Sequence, residues 1–376
     1  MIRRSSVRRT DCGLVIALVV LAGCGRLRFD DSGDGGVGSD DGPADPDAFV
    51  PRANRVFAAS GTYTGNLGGI DGADEICRMR AEAVGLPGTF VAFLSTSTSD
   101  AISRLAGSRG WERIDGKPVV DTVADLMAEN QWYPISLDEQ GQTVTLAVAT
   151  GSHSTGTSEG TNCSDWRSST GSAVFGAPTA SAGASIRYGY IGCEVGMTVY
   201  CFETGHDFPL PAPPVTTGGR VLFVTNTDWT FGALSTADTL CNTEAVGLPG
   251  TYTALIATTN TSAASRLANL DGPWKRADGR LITSGALGTL PIELPPDLYA
   301  SGAHFTGDGI HYVWMGAGSL TAPGTPSSTC TGWTDATPAG GYANTAYADE
   351  TTFAAYGWDQ ALTRCDGTLP IYCAQN

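Results

Sequence analysis

Ala83–Phe90 reads AVGLPGTF, and Ala245–Tyr252 reads AVGLPGTY. An offset of 162 to 165 residues also relates three further pairs of segments. Repeats of solenoid type recur every ~20–50 residues, so an offset of this size is the length of a domain. The 376-residue chain therefore contains the same unit twice. The other pairs are Arg55-Val56-Phe57 with Arg220-Val221-Leu222, Ser103-Arg104-Leu105-Ala106 with Ser265-Arg266-Leu267-Ala268, and WERIDGK (Trp111–Lys117) with WKRADGR (Trp274–Arg280).

Eight cysteines repeat in step with these segments. Their spacings are 86, 30 and 8 residues in the first unit, and 89, 35 and 8 in the second. An even count in an exported chain predicts disulfides, and four cysteines permit three pairings. A metal site is the alternative, but neither set contains a C-x₂-C pair or a nearby recurring histidine. The sets are Cys77, Cys163, Cys193 and Cys201, then Cys241, Cys330, Cys365 and Cys373.

Each unit is predicted to open with a helix that carries its first cysteine. Asp71 and Ser235 are the predicted N-caps, and Gly85 and Gly247 the predicted ends. Buried strands, short second helices and closing strands follow, and Pro370 predicts an edge or bulged position for the last strand. The strands are predicted at Phe90–Leu94, Tyr252–Ile256, Thr198–Phe202 and Leu369–Cys373, and the short helices near Ser99 and Thr261.

The N-terminus has the pattern of a bacterial lipoprotein signal. Basic residues precede the apolar run GLVIALVVLA (Gly13–Ala22), which is too short to span a bilayer. Leu21-Ala22-Gly23-Cys24 resembles a lipobox, so we expect cleavage after residue 23 and lipidation of Cys24. Gly25, by resemblance to enterobacterial sorting rules, favours the outer membrane. We expect an exported envelope protein that faces the exterior or the periplasm.

Composition divides the chain into five segments. The Asp/Gly-rich stretch after Cys24 has no apolar periodicity, which is typical of a flexible tether. Four prolines between the units (Pro209, Pro211, Pro213 and Pro214) favour an extended linker. The predicted segments are a signal peptide at 1–23, a tether at 24–52, a first domain at 53–203, a linker at 204–218 and a second domain at 219–376.

The ordered motifs resemble a known module. A helix with the first cysteine leads into GLPGTFVAFLS and then a W-x-R-x-D-G turn. The second cysteine has a tryptophan three residues on (Cys163 with Trp166, Cys330 with Trp333), and C-x₇-C closes each unit. This set resembles the endostatin-like domain of collagen C-termini, a branch of the C-type-lectin-like fold, and a family of bacterial lipoproteins built on the same module. The resemblance covers about 53–203 and 219–375.

The resemblance implies an α+β fold in each unit, with two helices, small antiparallel sheets and paired N- and C-terminal strands. It also implies nested disulfides, first cysteine to fourth and second to third. The implied pairs are Cys77–Cys201, Cys163–Cys193, Cys241–Cys373 and Cys330–Cys365.

Several activities of such modules do not carry over. Endostatin binds zinc through a histidine cluster and heparin through an arginine-rich face. This chain has four histidines, none recurring, and a net charge of −16, or −19 after removal of residues 1–23. No basic block follows the first ten residues, so nucleic-acid binding is not expected. The Glu-Pro-Asn, Gln-Pro-Asp and Trp-Asn-Asp tripeptides of calcium-dependent lectins do not occur, and we expect no metal or cofactor.

The sequence does not favour an enzyme. All eight cysteines are expected to be paired, so no nucleophilic thiol remains. His153, His304 and His311 lie in Gly-rich stretches and are interpreted as exposed loop residues. Asp138 and Glu139 are interpreted as a turn face, so no catalytic residue is assigned.

The sequence therefore favours a non-catalytic, lipid-anchored surface protein. Scaffolded loops carry specificity, and the units differ most between GSHSTGTSEGTNC (Gly151–Cys163) and GAGSLTAPGTPSSTC (Gly316–Cys330). The four recurring tryptophans are interpreted as core residues. We expect recognition or adhesion to an extracellular protein or glycan, with membrane attachment through Cys24. The alternative is a structural envelope component without a soluble ligand.

Overall fold

The computed structural model describes residues 52–288, 292–309, 311–348 and 362–376. The predicted signal peptide, Cys24 and all of the tether before Arg52 lie outside the described residues. Within these residues the chain is α+β, with few helices and several small sheets. Among the described residues, no helix has both the length and the apolar composition that a membrane span requires.

The first half, 53–203, folds around one sheet. The C-terminal strand is central, because it pairs with the first strand of the half, with β2 and with β5. The order is β4-β3-β1-β8-β5-β6-β7, with β2 also on β8. The strands are β1 (Asn54–Ala58), β2 (Thr89–Ala92), β3 (Trp111–Arg113), β4 (Pro118–Val120), β5 (Val148–Ala149), β6 (Ser172–Gly176), β7 (Gly189–Gly192) and β8 (Thr198–Thr204).

The second half repeats this plan in two separate sheets. Their orders are β10-β16-β9-β11-β12 and β13-β14-β15. In both halves the first strand pairs with the last, since Phe57 lies opposite Cys201 and Phe223 opposite Cys373. The strands are β9 (Arg220–Val224), β10 (Tyr252–Ala254), β11 (Trp274–Lys275), β12 (Leu281–Thr283), β13 (Tyr312–Trp314), β14 (Tyr342–Tyr347), β15 (Leu362–Arg364) and β16 (Tyr372–Gln375).

Two strand predictions need correction. The sheets are not purely antiparallel, because β1 pairs in parallel with β3, and β9 with β11. Pro370 lies before β16 rather than inside it, and the carbonyl of Pro370 accepts a hydrogen bond from the Trp314 amide at 3.0 Å. Proline has no N–H to donate to a neighbouring strand. The segment before β16 therefore pairs with β13 through one isolated bridge only, between Trp314 and Ile371.

The long helices are α1 (Gly69–Ala83) and α4 (Leu234–Glu244). Neither predicted N-cap is correct, since the caps are Gly68 and Ala233 and neither makes a side-chain capping bond. Asp71 lies in the first turn of α1, where its charge suits the helix dipole. The remaining helical segments are short: α2 (Val123–Met127), α3 (Cys163–Trp166), α5 (Cys330–Trp333) and the 3₁₀ turns at Ile102–Leu105, Ala182–Ser185, Ala264–Arg266, Pro326–Ser328 and Pro338–Gly340.

Four disulfides brace the halves, and their pairs are the ones that the resemblance implies: Cys77–Cys201, Cys163–Cys193, Cys241–Cys373 and Cys330–Cys365. Disulfides persist in oxidising compartments, so they indicate an extracellular or exported environment. The four recurring tryptophans, Trp111, Trp166, Trp274 and Trp333, are fully buried in the cores as predicted.

Both halves belong to one compact unit, Val50–Asn376. The segment between them bonds to each half, because the Leu210 amide donates to Asp121 and the Thr216 amide donates to the Gly279 carbonyl. Further contacts join the halves directly, most of them around residues 293–309 of the second half. In addition, the ring centroids of Tyr188 and Tyr347 lie 6.3 Å apart across the junction.

Candidate functional site

A left-handed turn fixes the base of each long loop. All four residues of α3 have φ between 54° and 63°, and those of α5 between 47° and 70°. Such a backbone costs roughly 1–2 kcal/mol per non-glycine residue, so other contacts must hold it. The Trp166 indole donates to the Ser95 carbonyl and the Trp333 indole donates to the Ala257 carbonyl, each at 2.8 Å.

A glycine opens each loop for a steric reason. A Cβ atom on Gly151 would lie 2.9 Å from the Trp166 ring, and one on Gly316 would lie 2.6 Å from the Trp333 ring. Both glycines also have positive φ, which side chains other than glycine rarely adopt. The turn, the tryptophan and the glycine therefore place the two divergent loops at equivalent points of the halves.

In the second half this loop borders an open cleft of about 620 Å³. One wall is the 3₁₀ turn Pro326–Ser328, which is fixed by a capping box between Thr325 and Ser328. The Ser328 hydroxyl also donates to the Gly316 carbonyl at 2.7 Å, which ties the wall to the start of the loop. The described residues that line the cleft share a lack of charge: Ala317, Gly318, Pro323, Thr325, Ser327, Ser328, Gly340, Gly341, Tyr342, Asn344 and Leu362.

The opposite wall is the β14–β15 ribbon. Tyr342 pairs with Arg364 and Asn344 with Leu362, so these four side chains lie on one face of the ribbon. Arg364 is not among the described lining residues of the cleft, and its guanidinium donates to Asp366 at 3.0 Å. Tyr342 is 48% exposed and Leu362 is 46% exposed, although both are large and apolar. The cleft thus offers an aromatic ring, an aliphatic side chain, hydroxyls and an amide.

The corresponding surfaces of the first half are charged. The β6–β7 ribbon of the first half corresponds to the β14–β15 ribbon of the second. Tyr190 pairs with Val174 there, in the position that Leu362 has opposite Asn344. Tyr190 is 58% exposed, but its hydroxyl donates to Glu159 and the Arg187 guanidinium lies over its ring at 4.7 Å. A different cavity of the first half, of about 340 Å³, is lined by four charged residues, Asp71, Arg104, Asp165 and Arg167, among others.

A buried ion network lies between the halves. Asp297 and Arg276 are fully buried, and the guanidinium donates to the carboxylate at 3.0 Å. Ser181 of the first half donates to the same carboxylate at 2.5 Å, and His304 Nδ1 lies 3.2 Å from it. Burial alone would raise the pKa of Asp297, but the charges of His304 and Arg276, with these hydrogen bonds, lower that pKa to about 2.

A second polar contact joins Glu129 to the second half. The buried carboxylate accepts the Gly307 amide at 2.8 Å. Burial raises the pKa of Glu129, and the bonds from Ser154 and Gly307 oppose that rise only in part. Next to it, Asp308 accepts the Ser154 amide and contacts His153 Nδ1, each at 2.7 Å.

The interpretation of the histidines as exposed loop residues is therefore wrong for His304, whose side chain is only 10% exposed. His153 is partly exposed and His311 stacks on Phe305 with ring centroids 4.8 Å apart. A Ser-His-Asp triad needs the serine hydroxyl on the imidazole, whereas Ser181 donates to the carboxylate that His304 also contacts.

Asp138 and Glu139 lie at a turn, as the sequence predicts. Both are buried within their turn. Asp138 accepts the Gln140 and Gln142 amides, at 2.9 and 2.8 Å, and Glu139 accepts the Ser60 amide at 3.0 Å and the Ser60 hydroxyl. These carboxylates stabilise the turn, because buried acceptors satisfy backbone donors that would otherwise lack partners.

No protein-family model matches this chain, and no curated protein matches it either.

Proposed function

We propose that the protein is an exported, lipid-anchored recognition protein that binds an extracellular glycan or protein without turnover. It would consist of two tandem endostatin-like modules of the C-type-lectin-like type, held at the outer membrane through Cys24. The main support for this proposal is the cleft beside Tyr342, whose described lining residues are uncharged. The cleft borders the loop Gly316–Cys330, where the divergence between the two units predicts binding.

The chemistry of the cleft favours a neutral glycan over a charged ligand. None of its described lining residues is charged, in a chain whose net charge is −16. An exposed aromatic ring offers an apolar platform for the C–H face of a sugar, and hydroxyl and amide groups fix its orientation. An anionic polysaccharide would be repelled by the acidic surface.

The test is a glycan and matrix-protein array probed with residues 50–376, which form one compact unit. We expect binding to a neutral glycan without any consumption of the ligand. Tyr342→Ala should weaken the affinity at least about tenfold, the effect of losing roughly 1.4 kcal/mol at a central aromatic contact. Because Tyr342 is half exposed, this substitution leaves the core intact.

Two matched controls locate the site. Tyr190→Ala removes the exposed tyrosine of the equivalent ribbon, and Val246→Ala removes an 85%-exposed side chain elsewhere in the second half. Both should leave the affinity unchanged. Silence across the array would reject the proposal and favour the structural envelope component. Equal losses for Tyr342→Ala and Tyr190→Ala would place the binding site outside the cleft.

A further inference from the structure

The junction of the halves contains a cluster of metal-ligand side chains that is separate from the cleft. His153 and Glu159 lie in the first-half loop, and Asp308 lies in the second half. One ligand atom from each lies within 4.8 Å of the other two. Nδ1 of His153 is 2.7 Å from Asp308 Oδ2 and 3.9 Å from Glu159 Oε2.

We propose that these three residues bind a divalent transition-metal ion, such as Zn²⁺, that clamps the two halves together. A cation at their centre would lie within about 2.8 Å of each ligand atom, so side-chain movements of less than about 1 Å give bonds of about 2.0–2.2 Å. One imidazole with two carboxylates favours Zn²⁺ over Mg²⁺, which prefers oxygen ligands alone. The half-exposed position leaves room for water as a further ligand.

Arg187 is the main competitor for the site. Its Nη2 donates to Glu159 Oε1 at 3.0 Å and its Nε donates to Oε2 at 3.1 Å. A carboxylate has about four acceptor sites, so Oε2 keeps a lone pair for a metal while Arg187 holds the group in place. Such outer contacts orient the ligands of metal sites.

The local charge favours a cation despite Arg187. Glu159 and Asp308 act on the Arg187 guanidinium, and the Glu129 carboxylate acts on Asp308. The carboxylates of the region therefore outnumber its one guanidinium. Glu129 contacts the residues next to two of the three ligands. It accepts the amide of Gly307, which precedes Asp308, and it bonds to Ser154, which follows His153. Metal binding at Nδ1 would move the imidazole proton of His153 to Nε2, because Nδ1 must present its lone pair to the ion.

The first test is titration of residues 50–376 with zinc chloride by calorimetry. We expect one ion per chain, with no displacement by an equal concentration of Mg²⁺. His153→Gln and Asp308→Asn should each weaken the affinity at least about tenfold. The matched controls His206→Gln and Asp228→Asn should leave it unchanged. Absence of zinc binding, or equal binding by Asp308→Asn, overturns the proposal.

A second measurement uses the unaltered protein, so it does not depend on whether the variants fold. Zinc should shift the imidazole NMR signals of His153 and leave those of His206, His304 and His311 in place. Zinc should also raise the melting temperature, because an ion that bridges the halves binds only the folded chain. A shift centred on any of the other three histidines shows binding elsewhere and rejects the site.

Discussion

Replacement of Asp297 tests the buried ion network of the second half, which Ser181 of the first half also joins. Asp297→Ala leaves the fully buried Arg276 with Asp278 as its remaining carboxylate and removes the acceptor of the Ser181 hydroxyl. Breaking a buried ion pair from one side costs about 3–5 kcal/mol, because the remaining charge is left in a medium of low polarity. We expect the free energy of unfolding to fall by about that amount.

The assay is urea denaturation at pH 7 with the disulfides intact, followed by tryptophan fluorescence. The matched control is Asp366→Ala, which removes the partner of Arg364 from an exposed ion pair. Exposed pairs contribute at most about 1 kcal/mol, so the control should change little. Ser181→Ala, which removes one hydrogen bond between the halves, should cost about 1 kcal/mol.

The same carboxylate gives a pH dependence with a defined sign. The pKa of Asp297 is lowered to about 2 in the folded chain, against an ordinary value of 3.8. The ionised group therefore contributes about 2 kcal/mol of stability above pH 4, which is lost as the pH falls through 2. Asp297→Asn should lack this step. A cost below 1 kcal/mol for Asp297→Ala, or equal acid sensitivity of Asp297→Asn and the parent chain, would refute the reasoning.

Two further predictions concern the disulfides and the tight turns. Replacing both cysteines of Cys77–Cys201 by alanine should lower the free energy of unfolding by about 5 kcal/mol, and replacing those of Cys163–Cys193 by about 4 kcal/mol. The difference arises because the closed loops span 124 and 30 residues. Urea denaturation measures both losses, and a larger loss for the shorter loop would contradict this order. Gly110→Ala should lower the melting temperature more than Gly116→Ala does. Both glycines have φ of 74° to 80°, but only at Gly110 would a Cβ atom clash, at 2.0 Å from the Phe208 carbonyl oxygen. Equal shifts of the two variants in a thermal melt would rule out this steric cause.

Repetition made much of the fold predictable. The recurring cysteines indicated disulfides, and the resemblance implied the same four pairs that the structure contains. The recurring arginines of the Ser-Arg-Leu-Ala segments had no assigned role. Arg104 donates to the Ala92 carbonyl and to Asp74, and Arg266 donates to the Ala254 carbonyl and to Asp238. Each arginine thus ties the long helix to the first buried strand, which explains why both copies contain it.

The helix caps and the junction were beyond sequence reasoning. Gly68 and Ala233 have no capping side chain, so local rules pointed to the nearest polar residues instead. His153 and Asp308 are 155 residues apart and come from different halves. No spacing rule connects such residues, because their approach depends on how the second half packs against the first. For the cleft, the sequence predicted only that the loop Gly316–Cys330 diverges from its counterpart in the first unit; it did not predict a cavity there.

Binding of a neutral glycan in the cleft beside Tyr342 can be tested by mapping the bound ligand on the protein. Residues 50–376, labelled with ¹⁵N, would be titrated with the neutral glycan that binds most tightly in the array. We expect the largest chemical-shift changes at Ser327, Tyr342 and Asn344, which line the cleft. Changes centred on the first-half ribbon at Tyr190, or spread evenly over the chain, would contradict it.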